Sequence, residues 1–499
     1  MTTSRHEALP RLTRRRLGPI HIFFFTVAAS APLTVLGGGV TTTFAVTGIA
    51  GVPLSFLILA VALGLFVVGY AAMSRHVANA GAFYSYLANG LGREWGVAGS
   101  FVALVAYNAI QIGLYGLFGV ALSGFMAENL GLELAWWVWS LVALVIVGAL
   151  GQLRVDLNAN VLAVLLILEI IAVVIYDVVA FAHPATGSIG VEAFQPNELF
   201  VPGVAAVFAF GVAAFIGFES GAIYSEEVRD PRRTVARATF AALTFTGLFY
   251  ALSAWAMTVN VGPDNLQPAA VEAGPGLVFG PIAAYASSLV ADIANVLFVT
   301  SVLAALLSFH NGVARYLFAL GRERVLPQGL SRVGARSGAP VAGSLVQSVL
   351  ALIVILVFVV ADRDPLLDLF TWLSGISAVG VILLMTGASA SVIGFFRTRR
   401  TEENLWQCVV APALATLILG GLVVLLVVEF DTLLGTDPTS TLRWILPGIV
   451  FGAAVLGLIW GLVLRSTRPD VYDGIGRSAM EPPAEDENEE GIQLQALHR

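Results

Sequence analysis

The residues best suited to chemistry lie in the stretch FGVAAFIGFESGAIYSEEVRDPRRTVARA, from Phe210 to Ala238. Inside its apolar half sits a single acid, Glu219, next to Gly217 and Phe218; a charge-rich run, Glu226-Glu227-Val228-Arg229-Asp230-Pro231-Arg232-Arg233, follows. An ionisable group at membrane depth costs about 2.5–3.5 kcal/mol on insertion scales, so it faces a cavity or a partner rather than lipid. Glycine lets a helix open and free its main-chain groups. The chemistry on offer is solute binding and proton transfer within a membrane, on a helix interrupted at Ile216-Gly217-Phe218. The plainer alternative is a continuous packed helix in which a neighbour satisfies Glu219.

A second interruption is expected at Ala28-Ala29-Ser30-Ala31-Pro32, ahead of Gly37-Gly38-Gly39. Proline has no N–H and crowds the carbonyl four residues back, which kinks or opens a helix. Half-helix N-termini present free N–H groups and positive partial charge to an anion, while unwound carbonyls suit an ammonium group or a cation. Two facing breaks would thus offer one place for a carboxylate and one for an amine, a pairing that suits an α-amino acid. Against this stands the frequency of Gly and Pro in membrane helices generally.

Other polar groups fall deep inside apolar runs. Phe309, His310 and Asn311 lie about 16 Å from one end of their helix at 1.5 Å per residue; His310 titrates near neutral pH and suits proton coupling, or else bonds a neighbouring helix as a neutral ring. Glu169 is a candidate for proton handling, with a structural hydrogen bond as the alternative. Ser308 offers one hydroxyl ligand to sodium, or simply packs. Tyr107, Asn108 and Gln111 share one side of a helix, with Tyr107 the possible pocket wall, and Ser374 and Ser377 are placed to face the centre. Trp136, Trp137 and Trp139 read as interfacial anchors.

The elements that must hold these groups are membrane spans. Apolar residues make up 58% of the chain and charged residues 12%, with a mean hydropathy of +0.86; a soluble chain would carry about twice that charge. Uncharged runs of roughly 20 residues, each able to cross a hydrocarbon core of about 30 Å, follow one another, and barrel-type alternation is absent. Twelve spans are expected, at about 17–46, 52–73, 97–122, 136–150, 157–182, 201–225, 238–261, 289–321, 342–361, 366–396, 406–430 and 444–464. A basic arm (residues 1–16) precedes them and an acidic disordered tail (466–499) follows. The segment Gly262–Ser288 should cap the outer side, and SRHVANAGAFYSYLANGLGREWG should form an amphipathic inner loop. The loops placed inside carry fourteen arginines, from Arg75 to Arg400, and those placed outside only Arg363 and Arg443. The positive-inside rule then puts both termini in the cytoplasm. No cleavable signal is expected.

All 26 basic residues are arginine, so lysine chemistry and a phosphate-binding G-x-x-x-x-G-K-[ST] loop are ruled out. The single cysteine, Cys408, cannot form an intramolecular disulfide or a multi-Cys metal site. The net charge of −7 comes largely from the tail, Glu481–Glu490.

Three stretches, FIGFESGAIYSEEVRDPRRTVARA, MSRHVANAGAFYSYLANGLGREWG and HNGVARYLFALGRERVLPQGLSRVGARSGAPVAG, together carry a resemblance over about residues 17–465. The chain resembles the amino acid–polyamine–organocation superfamily of secondary transporters, bacterial amino acid permeases in particular. The resemblance implies an all-α fold with a five-plus-five inverted repeat (17–182 and 200–396) and two added helices (406–465). It implies that a substrate carboxylate meets main chain near Ala29, Ser30 and Ala31, and its amine meets carbonyls near Ala213, Ala214 and Ile216, beside Gly217 and Phe218. Phe309 falls where the family sets a side chain against the substrate, and Glu219 on its gating, proton-linked glutamate. Two departures stand out: ASAP replaces the usual G-S/T-G triplet at the first break, and the helix-5 lysine of some members, which stands in for sodium, is absent here.

The expected activity is secondary active transport of amino acids or related amines by alternating access, coupled to protons, with sodium left open and no cofactor. Exchange and polyamine uptake are the close alternatives. An amino-acid sensor that does not transport, and a lipid-acting membrane enzyme, are the distant ones; the enzyme would need an H-x-x-x-H or D-D-x-x-D cluster, and neither occurs. The partners called for are a small-molecule substrate and the lipid bilayer, not nucleic acid.

Overall fold

The computed structural model describes residues 23–24, 26–27, 30–77, 83–153, 159–219, 231–335, 337–399, 401–435 and 439–476; among them the regular elements are all helices. Ala29, the arm 1–16, residues 220–230 with most of the charge run, and the acidic stretch Glu481–Glu490 lie outside that set.

The described residues before Ala31 are helical, and after it α1 runs as Pro32–Thr34, a wide π-type turn over Val35–Val40, and Thr41–Thr47. The wide turn contains Gly37-Gly38-Gly39, where helical hydrogen bonding has least side-chain support. A Cβ on Gly38 would lie 2.5 Å from Leu117 Cδ2, so the missing side chain lets α1 approach its neighbour. There follow α2 (Val52–Ser74), the short α3 (Phe83–Gly90), α4 (Arg93–Leu130), α5 (Trp136–Gln152) and α6 (Ala159–Ala182). Next come α7 (Val204–Phe215), α8 (Pro231–Val261) and the pair α9 (Leu266–Ala273) and α10 (Gly276–Tyr285). The remainder is α11 (Ser288–Arg322), α12 (Val341–Val360), α13 (Thr371–Thr398, entered through a π-type turn at Pro365–Phe370), α14 (Ala411–Val428, entered through Trp406–Val410), α15 (Leu442–Thr467) and α16 (Pro469–Gly474).

Nine of the described helical segments are long and apolar enough to cross a bilayer, and α5 and α7 are shorter apolar helices. This is a multi-pass membrane protein. In α4 and in the span built on α13, 72% of the most apolar window is buried, against 22% in α15 and 28% in α12. The first two therefore form the centre, and α12 and α15 the rim. Leu345, Val349, Ile353, Val357 and Val360 leave an apolar face of α12 exposed, as lipid contact requires. Gln347, on the opposite face, donates to Gln111 Oε1 of α4 at 2.6 Å and fastens this rim helix inward.

Two expectations need correction. α4 and α8 run well beyond the expected 97–122 and 238–261, because their polar ends stay helical outside the apolar windows. The disordered tail does not begin at 466: α15 continues to Thr467 and α16 follows, burying Val471 and Ile475 against Tyr84, Ala88 and Leu320. Arg93 pairs with Asp473, and Tyr472 donates to Glu94 Oε2 at 2.5 Å, so this terminal strap is tied across α3 and the start of α4.

Candidate functional site

Both expected breaks occur, and their helices pack against each other near the centre. The first break is at Ala31, between the helical Ser30 and the start of α1: Ala31 has φ 46° and ψ 74°, a left-handed conformation that an alanine adopts at a cost of about 1–2 kcal/mol. Pro32 then supplies a helix-compatible φ at the first helical position, where an N–H is not needed. In the second, α7 ends at Phe215, and Gly217 takes φ 110°, which only glycine adopts freely. The Ile216 N–H turns back to the Ala213 carbonyl at 3.2 Å, so one of the carbonyls expected to meet an amine is engaged in closing the helix. Ala214, Ile216 and Phe218 are buried, whereas Ala213 is half-buried.

Each break holds an acid. Glu219, 2% exposed, folds back on its own interruption: Oε2 accepts the Gly217 N–H at 2.9 Å, and Oε1 accepts the Tyr107 hydroxyl of α4 at 2.7 Å. The Tyr107 ring lies 6.5 Å from that of Phe309 at an interplanar angle of 29°. Tyr107, Glu219 and Phe309, separated by up to about two hundred positions in the chain, thus form one cluster. Phe66 of α2 packs edge-on against Phe218 and supports it from behind.

Glu169 of α6 belongs to the other break. Its Oε2 accepts the Ser301 hydroxyl of α11 at 2.8 Å and the Leu33 N–H, in the first turn of α1, at 3.5 Å. Thr34 Oγ1 donates to Ser301 Oγ at 2.9 Å, and the Tyr250 hydroxyl of α8 donates to the Ser30 carbonyl at 3.3 Å. Hydroxyls from three helices therefore surround the opened main chain of α1.

His310 does not join either cluster. One residue beyond Phe309 on the same helix, it points to a different face, where Nε2 meets Ser344 Oγ of α12 at 2.8 Å; a Cβ on Gly151 of α5 would lie 2.6 Å from the ring. It ties α11 to α12 and α5. Asn108 donates to the Leu104 carbonyl of its own helix and Gln111 bonds to Tyr115 and Gln347, so of that trio Tyr107 alone reaches a break. Ser374 and Ser377 are buried, and Ser308 is exposed.

Sequence reasoning missed Asp177, 5% exposed on α6, which accepts the Ser253 hydroxyl of α8 at 3.0 Å. The signal was there: an acid eight residues after Glu169 in the same apolar run. Tyr250 and Ser301 carried no comparable signal. None of the ion pairs among the described residues includes Glu169, Asp177 or Glu219. The site therefore offers carboxylates, hydroxyls and open main chain, with no ion-paired cation against these acids among the described residues.

A family model for the amino acid permeases matches residues 21–467. The chain belongs to the amino acid permease family. Among its relatives, an uncharacterized transporter of Mycobacterium tuberculosis is 28% identical over 314 residues, 63% of each chain. The chain thus spans less than two thirds of that relative's length. A branched-chain amino acid permease of Lactococcus lactis is 24% identical over 344 residues, covering 65% of this chain and 71% of the relative. A low-affinity putrescine importer of Escherichia coli is 23% identical over 425 residues, covering 81% and 86%. The permease match stops at Thr467, so the strap beginning at Arg468 lies beyond it.

Proposed function

We propose that the protein is a secondary active transporter that carries amino acids or related small amines across the cytoplasmic membrane by alternating access, with the proton as coupling ion. In this reading twelve spans cross the bilayer, both termini are cytoplasmic, and the interrupted α1 and α7 lend main-chain groups to the solute. The observation that carries it is the meeting of two opened helices, each with a buried carboxylate on its freed backbone. A continuous helix has no main-chain group to offer, and a buried acid there would only be costly. Membership of the permease family supports the transport reading, and the named relatives supply the two solute classes, branched-chain amino acids and a diamine.

Glu219 is the proton-linked group in this scheme. With its proton lost it accepts from both Tyr107 and Gly217, which holds α4 against the second break; taking up a proton removes one acceptor and loosens that contact. The test is uptake of radiolabelled solutes into proteoliposomes under an imposed pH gradient. Wild type should accumulate solute when the outside is acidic, and Glu219→Gln should lose the dependence on the gradient. Equal uptake with an equal pH profile in both proteins rules out the role of Glu219, and absence of gradient-driven uptake in wild type rules out proton coupling.

A further inference from the structure

The buried charge of the described core has one sign. Glu169, Asp177 and Glu219 are buried, no arginine is, and the chain has no lysine. Of the three acids, Glu169 holds a particular place. Pro32 has no N–H to give, which makes Leu33 the first residue of α1 with a main-chain donor, and that donor faces Glu169 Oε2 at 3.5 Å. The acid is fixed there by Ser301 at 2.8 Å, itself held by Thr34 at 2.9 Å. On the other side of the break the Ser30 carbonyl is taken by Tyr250. A carboxylate of the protein thus already occupies the head of the helix at which an incoming carboxylate would have to dock.

We propose that Glu169 sets substrate class: it stands where a substrate carboxylate would otherwise bind, and the solute carried is an organic amine with no carboxylate of its own. The inference rests on the transport reading above and narrows it. A second carboxylate at this point would meet a like charge in a low-dielectric interior, where such repulsion is strong. An ammonium group would instead find buried acids with no cation among the described residues, and an uncompensated buried acid gains most from such a partner. Glu169 therefore rejects α-amino acids by charge and leaves amines acceptable, a specificity built as much from repulsion as from attraction.

The test uses solutes that differ by one carboxylate: leucine against isopentylamine, and ornithine against putrescine, each as radiolabelled uptake into proteoliposomes of the full chain. Wild type should prefer the amine of at least one pair by about tenfold or more, a difference of about 1.4 kcal/mol. Glu169→Gln, which keeps the shape and removes the charge, should bring that ratio toward unity by admitting the amino acid. Ser301→Ala, which keeps the acid but releases it, should lower the ratio part of the way. Thermal stabilisation of purified wild type by the same four compounds gives the same ranking without any variant. Equal handling of both members of each pair by wild type, or a ratio unmoved in Glu169→Gln, overturns the assignment while leaving transport intact. If wild type takes up neither member of either pair, the assignment of an amine substrate falls together with the transport reading beneath it.

Discussion

Replacing Tyr107 with phenylalanine removes one hydroxyl and almost nothing else, and the structure says what that hydroxyl does. It donates to Glu219 Oε1 at 2.7 Å across the gap between α4 and the second break. An ordinary hydrogen bond between helices of a membrane protein is worth about 0.6 kcal/mol in a double-mutant cycle. A bond to a charged group is worth about 1.5–3 kcal/mol. The other Glu219 oxygen is held by Gly217, within the same segment, so Tyr107 is the side chain that ties the acid to a different helix. We expect Tyr107→Phe and Glu219→Gln, with the double variant, to show a coupling energy of about 1 kcal/mol or more in equilibrium unfolding of the purified protein, the charged bond less the ordinary one. Glutamine keeps an oxygen acceptor, so the coupling measures what the charge adds. A coupling near zero would mean that a neutral glutamine serves Tyr107 as well as the carboxylate does, and the charge-based account of this gate would be wrong.

Two further outcomes follow from other places in the structure. Glu323, just past the end of α11, is pushed above the ordinary carboxyl range by burial, against the pull of the Tyr84 hydroxyl, the Arg322 charge and the Gly476 main chain. A carboxyl raised on folding holds more protons in the folded state, so its contribution favours folding at low pH and is lost as pH climbs from about 4.3 through the raised value; thermal melts should show that decline in wild type and a flatter profile in Glu323→Gln. Gly38→Ala should destabilise the protein by about 1–3 kcal/mol, because its Cβ would sit 2.5 Å from Leu117 Cδ2. Adding Leu117→Ala should recover part of that loss of melting temperature beyond the sum of the single effects.

The second break was legible because an acid and a glycine interrupt an apolar run, and both have direct physical meanings there. The first was legible only through Pro32; that the turn itself falls on Ala31 could not be read, since nothing in an alanine announces a left-handed φ. Membrane spans were legible from hydropathy, yet rotation about their axes was not. That rotation decides that Phe309 meets Tyr107 while His310, about 100° further round, meets Ser344. For the same reason Glu169 was visible as an acid in a span, but its partners Leu33 and Ser301 come from other helices and leave no mark at its position. Asp177 carried the same mark as Glu169. Toward the C-terminus the acidic composition hid a local pattern, the apolar Val471 on α16 and Ile475 just past its end, both buried in one cluster.

The strap has a mechanical consequence. Asn89 donates to the Gly476 carbonyl at 3.2 Å, and Tyr84, six residues earlier than Gly90 at the end of α3, bonds Glu323 at the foot of α11. The strap is therefore moored at the seam where α3, α4 and α11 converge. If that seam parts during a working cycle, the mooring must either stretch or let go, and a fluorophore attached at position 474 would register the event from outside the pathway. A segment outside the permease match thus offers a built-in gauge of motion that spares the solute-binding helices any label.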